Sequence, residues 1–240
     1  DARIILLGMG SSRYAASVAA ARLRSRGVDA VAELASSDLL PQPTANTVVV
    51  AVSATGGSKE TLDALDRLPH DVRSIALTNA TDSALAQRCT TVVGLHAEPE
   101  RGGVACRTFA HTLALLLSLE TRLTGGDPGA VTGLLRRAAD ATEDLLTSRA
   151  RWLPQLRDLV DGPGGSHLAA PARRLSSAQQ SALMLREGPR RAAVACEAGD
   201  WAHVDVYLTK NTDYRLIVFA GSRWDAGIDE WTGPRGTRIA

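Results

Sequence analysis

Thr47-Val48-Val49-Val50-Ala51-Val52-Ser53-Ala54-Thr55-Gly56-Gly57-Ser58-Lys59-Glu60-Thr61-Leu62 is the stretch that decides the fold. Its β-branched apolar start reads as a buried strand, and Leu62, Leu65 and Leu68 read as one face of a helix. Hydroxyls and glycines lie between the two. A helix N-terminus presents unpaired backbone N–H groups and the positive end of the macrodipole. Ser53, Thr55 and Ser58 can add hydroxyl donors, and Gly56 and Gly57 let the backbone approach a ligand closely, which together make a phosphate cradle. The G-x-x-x-x-G-K-[ST] spacing of a nucleotide P-loop is absent. The same residues fit a second reading, a strand–turn–helix whose Ser58 only caps the helix, with Glu60 or Thr61 in its first turn.

Outward from this stretch, strands and helices alternate. Ile4 to Leu7 is a continuous apolar strand, followed by Gly8-Met9-Gly10-Ser11-Ser12 and an Ala-rich helix expected over Tyr14 to Arg26, with Gly27 as its stop. Further strands are expected at Asp29–Leu34, Val48–Val52, Ser74–Thr78 and Thr91–Leu95, with a short helix at Ser83–Arg88 and a long buried one at Val104–Leu123. Thr124 to Gly129 breaks the composition, Leu134 to Leu159 reads as one helical segment, and Asp161 to Gly165 as a loop. The alternation then restarts, with strands at His167–Ala170, Ala192–Ala195 and Tyr214–Ala220 and a helix at Gln179–Glu187. Repeated strand–helix units with fully apolar strands predict an α/β fold of two doubly wound parallel sheets flanked by helices. The expected divisions are a first domain at 1–125, a helical linker at 126–165 and a second, shortened copy at 166–240. Strands at both extremes suggest a chain trimmed at each end.

The bulk numbers narrow the function. The chain has 240 residues, 45% hydrophobic, with a net charge of +1. That supports a large core and gives no general attraction to nucleic acid or an anionic membrane, so any anion site is local. Aromatics are 4%, without the aromatic–basic interleaving of single-strand binders. Cys89, Cys106 and Cys196 are widely spaced and odd in number, which points to reduced thiols in a cytoplasm. No CxxC pair or histidine cluster has metal-ligand spacing, and no apolar run reaches membrane-spanning length. A dinucleotide-binding Rossmann reading of the first turn lacks the third glycine, because Ala15 or Ala16 stands where it is expected.

Four segments carry a resemblance to a known family. Gly8-Met9-Gly10-Ser11-Ser12 resembles a G-x-G-[ST]-S turn, and Ser53-Ala54-Thr55-Gly56-Gly57-Ser58 resembles an S-x-S-G-E-[ST] phosphate loop. Gly103-Val104-Ala105-Cys106-Arg107-Thr108-Phe109 resembles the V-A-S-T-K-x-[FY] start of a long helix. Ala182-Leu183-Met184-Leu185-Arg186-Glu187 resembles A-L-K-L-K-E, and His203 follows sixteen residues later within a G-E-x-x-H-like segment. The chain thus resembles the tandem SIS (sugar isomerase) family, in particular the isomerase half of glucosamine-6-phosphate synthases and related sugar-phosphate isomerases and deglycases.

The resemblance implies a phosphorylated sugar or amino sugar as ligand, no cofactor or metal, and a homodimer. It implies that Ser53, Thr55, Gly56 and Ser58 hold the phosphate, with Ser11 and Ser12 nearby and Val104 and Ala105 beside the sugar. It makes Glu187 the base that moves a proton between C1 and C2; such a base is expected to be partly buried. It makes His203 the residue that opens the sugar ring, reaching the neighbouring subunit's site; histidine titrates near neutrality, which suits that task. The alternatives are a solvated helix-end glutamate paired with Arg186 or Arg190, and a histidine packed beside Trp201. Arg107 and Arg186 are possible secondary anion contacts or solvated surface. His111 and His167 read as structural, Cys106 as packing, and Trp201, Trp224 and Trp231 as core or dimer residues.

Departures from the family pattern are informative. Gly57 stands where the family has glutamate, Ala170-Pro171-Ala172 where the second domain has a G-x-G turn, and Met184 where a lysine lies in the sugar site. A thioether cannot form a Schiff base or stabilise an enolate charge. These residues include neither a closing lysine tail nor an amidotransferase half, so glutamine hydrolysis is not expected of them. A non-catalytic sugar-phosphate-sensing module is therefore the alternative to an isomerase.

Overall fold

The computed structural model describes residues 2–240. They divide into two compact units, Asp1–Thr132 and Gly133–Ala240.

In unit 1 the strands are β1 (Arg3–Gly8), β2 (Ala30–Leu34), β3 (Thr47–Val52), β4 (Arg73–Thr78) and β5 (Thr91–Gly94). They form one parallel sheet in the order β2-β1-β3-β4-β5. The helices are α1 (Gly10–Arg24), α2 (Lys59–Asp66), α3 (Ala84–Arg88) and α4 (Arg107–Leu123). Alternation along β1 sorts the core: Ile4 and Leu6 pack with the α1 alanines and Leu116 of α4, whereas Ile5 and Leu7 pack with Val49 and Ala64 of α2. Full burial of each such side chain contributes about 1.5–3 kcal/mol. Ala15, Ala16, Ala19 and Ala20 are small enough to let α1 lie close on the sheet. Glycine is required at position 8, since a Cβ there would stand 2.9 Å from Ser12 Cβ.

α1 starts at Gly10, four residues before the expected Tyr14, so Ser11 and Ser12 belong to its first turn rather than to a loop. The long helix starts at Arg107, not Val104, and only Thr108, Thr112, Leu116 and Glu120 along it are buried. Glu120 meets Arg22 of α1 at 2.5 Å. The single helix expected over Leu134–Leu159 is two, α5 (Pro128–Thr147) and α6 (Arg149–Val160), divided at Ser148. Pro128 takes the first helical position, where a missing N–H costs nothing.

Unit 2 carries β6 (Ser166–Ala170), β7 (Ala193–Glu197), β8 (Arg215–Val218) and β9 (Arg238–Ile239), parallel in the order β7-β6-β8-β9. This repeats the β2-β1-β3-β4 order of unit 1. Its helices include α7 (Leu175–Glu187), longer than expected at its start, α8 (Ala198–Trp201) and α9 (Asp225–Thr232). One face packs Leu168 and Ala170 against α7, and the other packs Ala169 and Leu216 against Trp201 and Ile228. Trp224 and Trp231 are exposed, unlike Trp201.

A polar network pins the segment between β7 and β8. Trp201 Nε1 donates to Tyr214 Oη at 2.8 Å, Tyr214 Oη donates to Asp205 at 3.3 Å, and Cys196 Sγ donates to Asp205 at 3.7 Å. Burial, reinforced by Asp205, pushes the Cys196 thiol up to about 12 and raises the Tyr214 phenol as well. Cys196 is thus an inert thiol at neutral pH.

His167 stacks on Tyr214 at 4.2 Å, with its Nδ1 enclosed and unbonded. Burial pushes it below its ordinary 6.5, against the opposing pull of Asp205. The unfolded chain therefore takes up a proton near pH 6.5 that the folded chain refuses until lower pH. Stability is complete above that point and declines as the pH falls from it through the lowered value. All four tryptophans lie in unit 2, so their fluorescence isolates its unfolding. The denaturation midpoint is expected to drop between pH 7.5 and 5.5, and His167→Phe should flatten that drop.

Candidate functional site

In an open parallel sheet, ligands bind outside the strand C-termini where the chain order reverses. In unit 1 that point lies between β1 and β3, whose last residues Gly8 and Val52 are in register. The two loops leaving it are Met9, which runs straight into α1, and Ser53–Ser58, which runs into α2.

The Ser53–Ser58 loop is clamped from behind. Ser53 N donates to Leu77 O at 3.1 Å, Asn79 N donates to Ala54 O at 3.1 Å, and Leu85 N donates to Gly56 O at 3.0 Å. Thr78 Oγ1 braces Ala54 O at 3.4 Å. Gly56 has φ +64°, and a Cβ there would lie 1.9 Å from Ser83 Oγ. Gly56→Ala is expected to destabilise the chain by about 2–4 kcal/mol, from left-handed strain plus overpacking. Ser83→Gly in the same chain should recover the packing part alone, as read from denaturant midpoints.

The loop's front is open. Ser53 is only 6% exposed, yet its hydroxyl makes no hydrogen bond among the described residues, and neither do the amides of Thr55 and Ser58. Thr55 Oγ1 accepts from Gly57 N at 3.3 Å and keeps its own proton free. Across the crevice, the Ser11 and Ser12 hydroxyls and the Gly10 and Ser11 amides also lack acceptors, and no side chain caps α1. None of the hydroxyls is enclosed, so each can donate to solvent or to a ligand at this edge. These converge on one sheet edge with no basic residue among them, as an anion bound by hydroxyls and amides requires.

Ser58 is placed differently. Its hydroxyl donates to Glu60 at 2.9 Å and accepts from Thr61 N at 3.4 Å and Thr61 Oγ1 at 3.1 Å, so it caps α2. Val104 and Ala105 are half-buried in the connection from β5 to α4. Arg107 is held by Glu98 at 3.3 Å, by Glu100 and by the Pro99 carbonyl, so its charge is engaged within its own loop. Asn79 joins the β4 and β5 exits, accepting from Ala97 N and donating to Glu98 O, both at 2.8 Å. His111 donates from Nδ1 to Leu95 O at 2.8 Å and anchors α4.

Unit 2 has filled the equivalent crevice. After β8, the amides of Gly221 and Ser222 donate to Asp225 Oδ2 at 2.6 and 3.1 Å. Arg173 and Arg174, which follow Pro171 where unit 1 has its Gly turn, donate to the carbonyls of Gly221 and Ala220. The chain's own carboxylate occupies the place an anion would take.

Glu187 ends α7, is exposed and makes no ion pair with Arg186 or Arg190. Its own unit does not supply the expected partial burial. Because α7 leaves the C-terminal end of β6 and returns to the start of β7, Glu187 lies by the N-terminal edge of the second sheet. His203 lies beyond the opposite end of β7, exposed, its backbone N donating to Asp200 O at 2.8 Å. A five-residue strand, about 13 Å, separates the two edges. Unit 2 therefore does not bring Glu187 and His203 together. Met184 is exposed on α7 and lines an apolar cavity of about 390 Å³ with Leu185, Ile217 and Phe219. Among the described residues no group of three or more metal-ligating side chains is clustered, and no helix is long and apolar enough to cross a membrane.

A family model describing the SIS domain matches residues 1–122, the span of the sheet and crevice just described. The chain belongs to the SIS family. It is 29% identical over 231 residues to the glutamine–fructose-6-phosphate aminotransferase (isomerizing) of Aeropyrum pernix, covering 92% of this SIS chain and 37% of that enzyme. The SIS chain thus spans well under half the length of the curated relatives it matches. Among solved structures, the C-terminal domain of glucosamine-fructose-6-phosphate aminotransferase from Francisella tularensis superposes with a TM-score of 0.72. It has 20% identity and covers 99% of this chain and 71% of that one. Tagatose-6-phosphate ketose/aldose isomerase from Escherichia coli gives 0.76 at 18% identity, covering 99% and 69%. At these identities the structural likeness is one of fold, and it includes both SIS-type sheets.

Sequence reasoning missed Ser83, Thr78 and Asn79, which support the loop, and Asp225, which fills the second crevice. The capping serine ahead of α3 was the one visible signal for the first of these; the others depend on packing across strands.

Proposed function

We propose that unit 1 binds the phosphate of a phosphorylated sugar or amino sugar in the β1/β3 crevice, and that the chain serves an aldose–ketose or amino-sugar-phosphate isomerase or deglycase. The observation that carries this is Ser53, a buried residue whose hydroxyl has no protein partner yet keeps accessible surface, beside other donors equally unclaimed. Ser11, Ser12, Thr55 and Gly56 complete the phosphate seat, and Ser58 joins by releasing Glu60. Val104 and Ala105 line the sugar. The names of the relatives, fructose-6-phosphate aminotransferases and a tagatose-6-phosphate isomerase, support a sugar 6-phosphate as ligand.

In this reading Glu187 moves a proton between C1 and C2, and His203 opens the ring from the partner subunit. The strand's length between them in one unit supports that division. The working form is then a homodimer in the cytoplasm, with no nucleic-acid or membrane partner and no cofactor. A non-catalytic sensing module is the second reading, favoured by Met184 in place of a lysine. Calorimetric titration with fructose 6-phosphate against fructose tests the phosphate seat: binding of the phosphorylated sugar alone is expected, and equal binding of both would refute it.

A further inference from the structure

We infer that the leucine face of α5 is a contact with a second copy of this chain, in which the two α5 helices lie antiparallel across a two-fold axis beside position 140. The inference deepens the homodimer reading above, on which the sharing of Glu187 and His203 depends, and is independent of the phosphate seat. α5 (Pro128–Thr147) is 20 residues long, and Val131 near its start is its one buried residue. Leu134, Leu135, Leu145 and Leu146 are each 42–60% exposed. At 3.6 residues per turn they fall with Val131, Ala138 and Thr142 inside one stripe about 120° wide. A surface helix normally turns such a stripe to a core. Here most of it faces water, and contiguous exposed apolar surface of this kind marks an interaction site.

The charges beside the stripe say what covers it. Arg137 and Asp144 border one edge, Arg136 and Glu143 border the other, and Asp140 lies on the opposite side of the helix. Among the described residues none of these five side chains has an ion pair or a hydrogen bond. Each edge therefore carries a cation towards the helix start and an anion towards its end. A parallel copy in register would set arginine on arginine and carboxylate on carboxylate. An antiparallel copy reverses the order, so that residues equidistant from position 140 meet: Leu134 with Leu146 of the second copy, and Leu135 with Leu145. In an antiparallel helix pair each edge faces the same edge of its neighbour. That sets Arg137 against Asp144 and Arg136 against Glu143, each twice by symmetry, flanking an apolar seam as charged residues do in a coiled coil. The face is thus complementary to itself from Leu134 to Leu146, which an isologous two-fold contact requires. A partner of another sequence calls for no such internal symmetry.

Sedimentation equilibrium on the whole chain, without ligand and at fixed low ionic strength, tests this. The wild-type chain is expected to be a dimer. Arg136→Glu/Arg137→Glu leaves only acids beside the stripe, and Glu143→Arg/Asp144→Arg leaves only bases there. Each variant alone should dimerise about tenfold or more weakly, because four exposed attractions become repulsions. Mixed in equal amounts, the two variants should associate at least as tightly as wild type, because acids then face bases along both edges. Leu135→Ala/Leu145→Ala should also weaken the dimer. All these positions are exposed, so the variants should fold, as circular dichroism will show. A variant that dimerises as wild type does, or a mixture no tighter than its components, overturns this inference and leaves the homodimer reading standing. A monomeric wild-type chain overturns both, while calorimetry with fructose 6-phosphate still reports on the phosphate seat by itself.

Discussion

Ser53→Ala is expected to abolish most sugar-phosphate binding while leaving the free protein as stable as before. The two halves of that result follow from one observation. Ser53 is buried, but its hydroxyl keeps accessible surface and bonds to nothing in the chain, so deleting it breaks no protein hydrogen bond and opens only a hydroxyl-sized space. A side chain that served only to fill the core would lose stability on truncation and leave binding unchanged. A hydrogen bond to a charged phosphate is worth about 1.5–3 kcal/mol, so its loss weakens affinity roughly 10- to 100-fold. Adding Thr55→Ala removes a second donor and should take the loss to about 3 kcal/mol or beyond, roughly a hundredfold at least. Thr55 also accepts weakly from Gly57 N, so the double variant should lose a little stability where the single does not. Calorimetric Kd values and denaturant midpoints on the same samples separate these effects. An unchanged Kd in the double variant would remove the β1/β3 crevice as the phosphate seat.

The contrast with Ser58 explains how far the sequence could be read here. The loop's residues part company: Ser58 caps α2, as the second reading of the loop has it, while the hydroxyls of Ser53 and Thr55 donate to nothing among the described residues. The strands were legible because β1 and β3 are apolar without interruption, the mark of a sheet covered on both faces. The start of α1 was not, because Gly10, Ser11 and Ser12 carry no apolar periodicity and the chain passes from strand to helix through Met9 alone. The division of α5 from α6 at Ser148 leaves no mark in a stretch that is helical on both sides. The filling of the second crevice by Asp225 depends on amides of Gly221 and Ser222 that a pattern search does not examine. Sixteen residues between Glu187 and His203 look like proximity along the chain. A parallel sheet converts them into the length of a strand, because the helix that ends at Glu187 must return to the bottom of the sheet before β7 climbs to the top.

That geometry sharpens the expectation for Glu187. With fructose 6-phosphate in deuterated water, the wild-type chain should incorporate deuterium at the carbon next to the carbonyl, and Glu187→Gln should slow this about 100- to 10,000-fold, the range general-base catalysis contributes. Glu187 is exposed and unpaired, so the amide, nearly identical in shape, should leave the unfolding midpoint and the Kd for the phosphorylated sugar close to wild type. Reduced exchange with intact binding is what a base at the reacting carbons produces; a parallel loss of binding would place Glu187 in ligand contact instead. His203→Ala should behave differently. It should slow turnover of the ring-closed sugar while sparing substrate supplied in open-chain form, because opening the ring is a separate proton transfer. If the histidine serves the partner's site, mixing Glu187→Gln with His203→Ala chains should regenerate a site free of both changes in the mixed dimer, and exchange with closed sugar should return in part. Exchange by Glu187→Gln at the wild-type rate would exclude this carboxylate as the base. No exchange by the wild-type chain, alongside tight binding, would favour the sensing module that Met184 suggests.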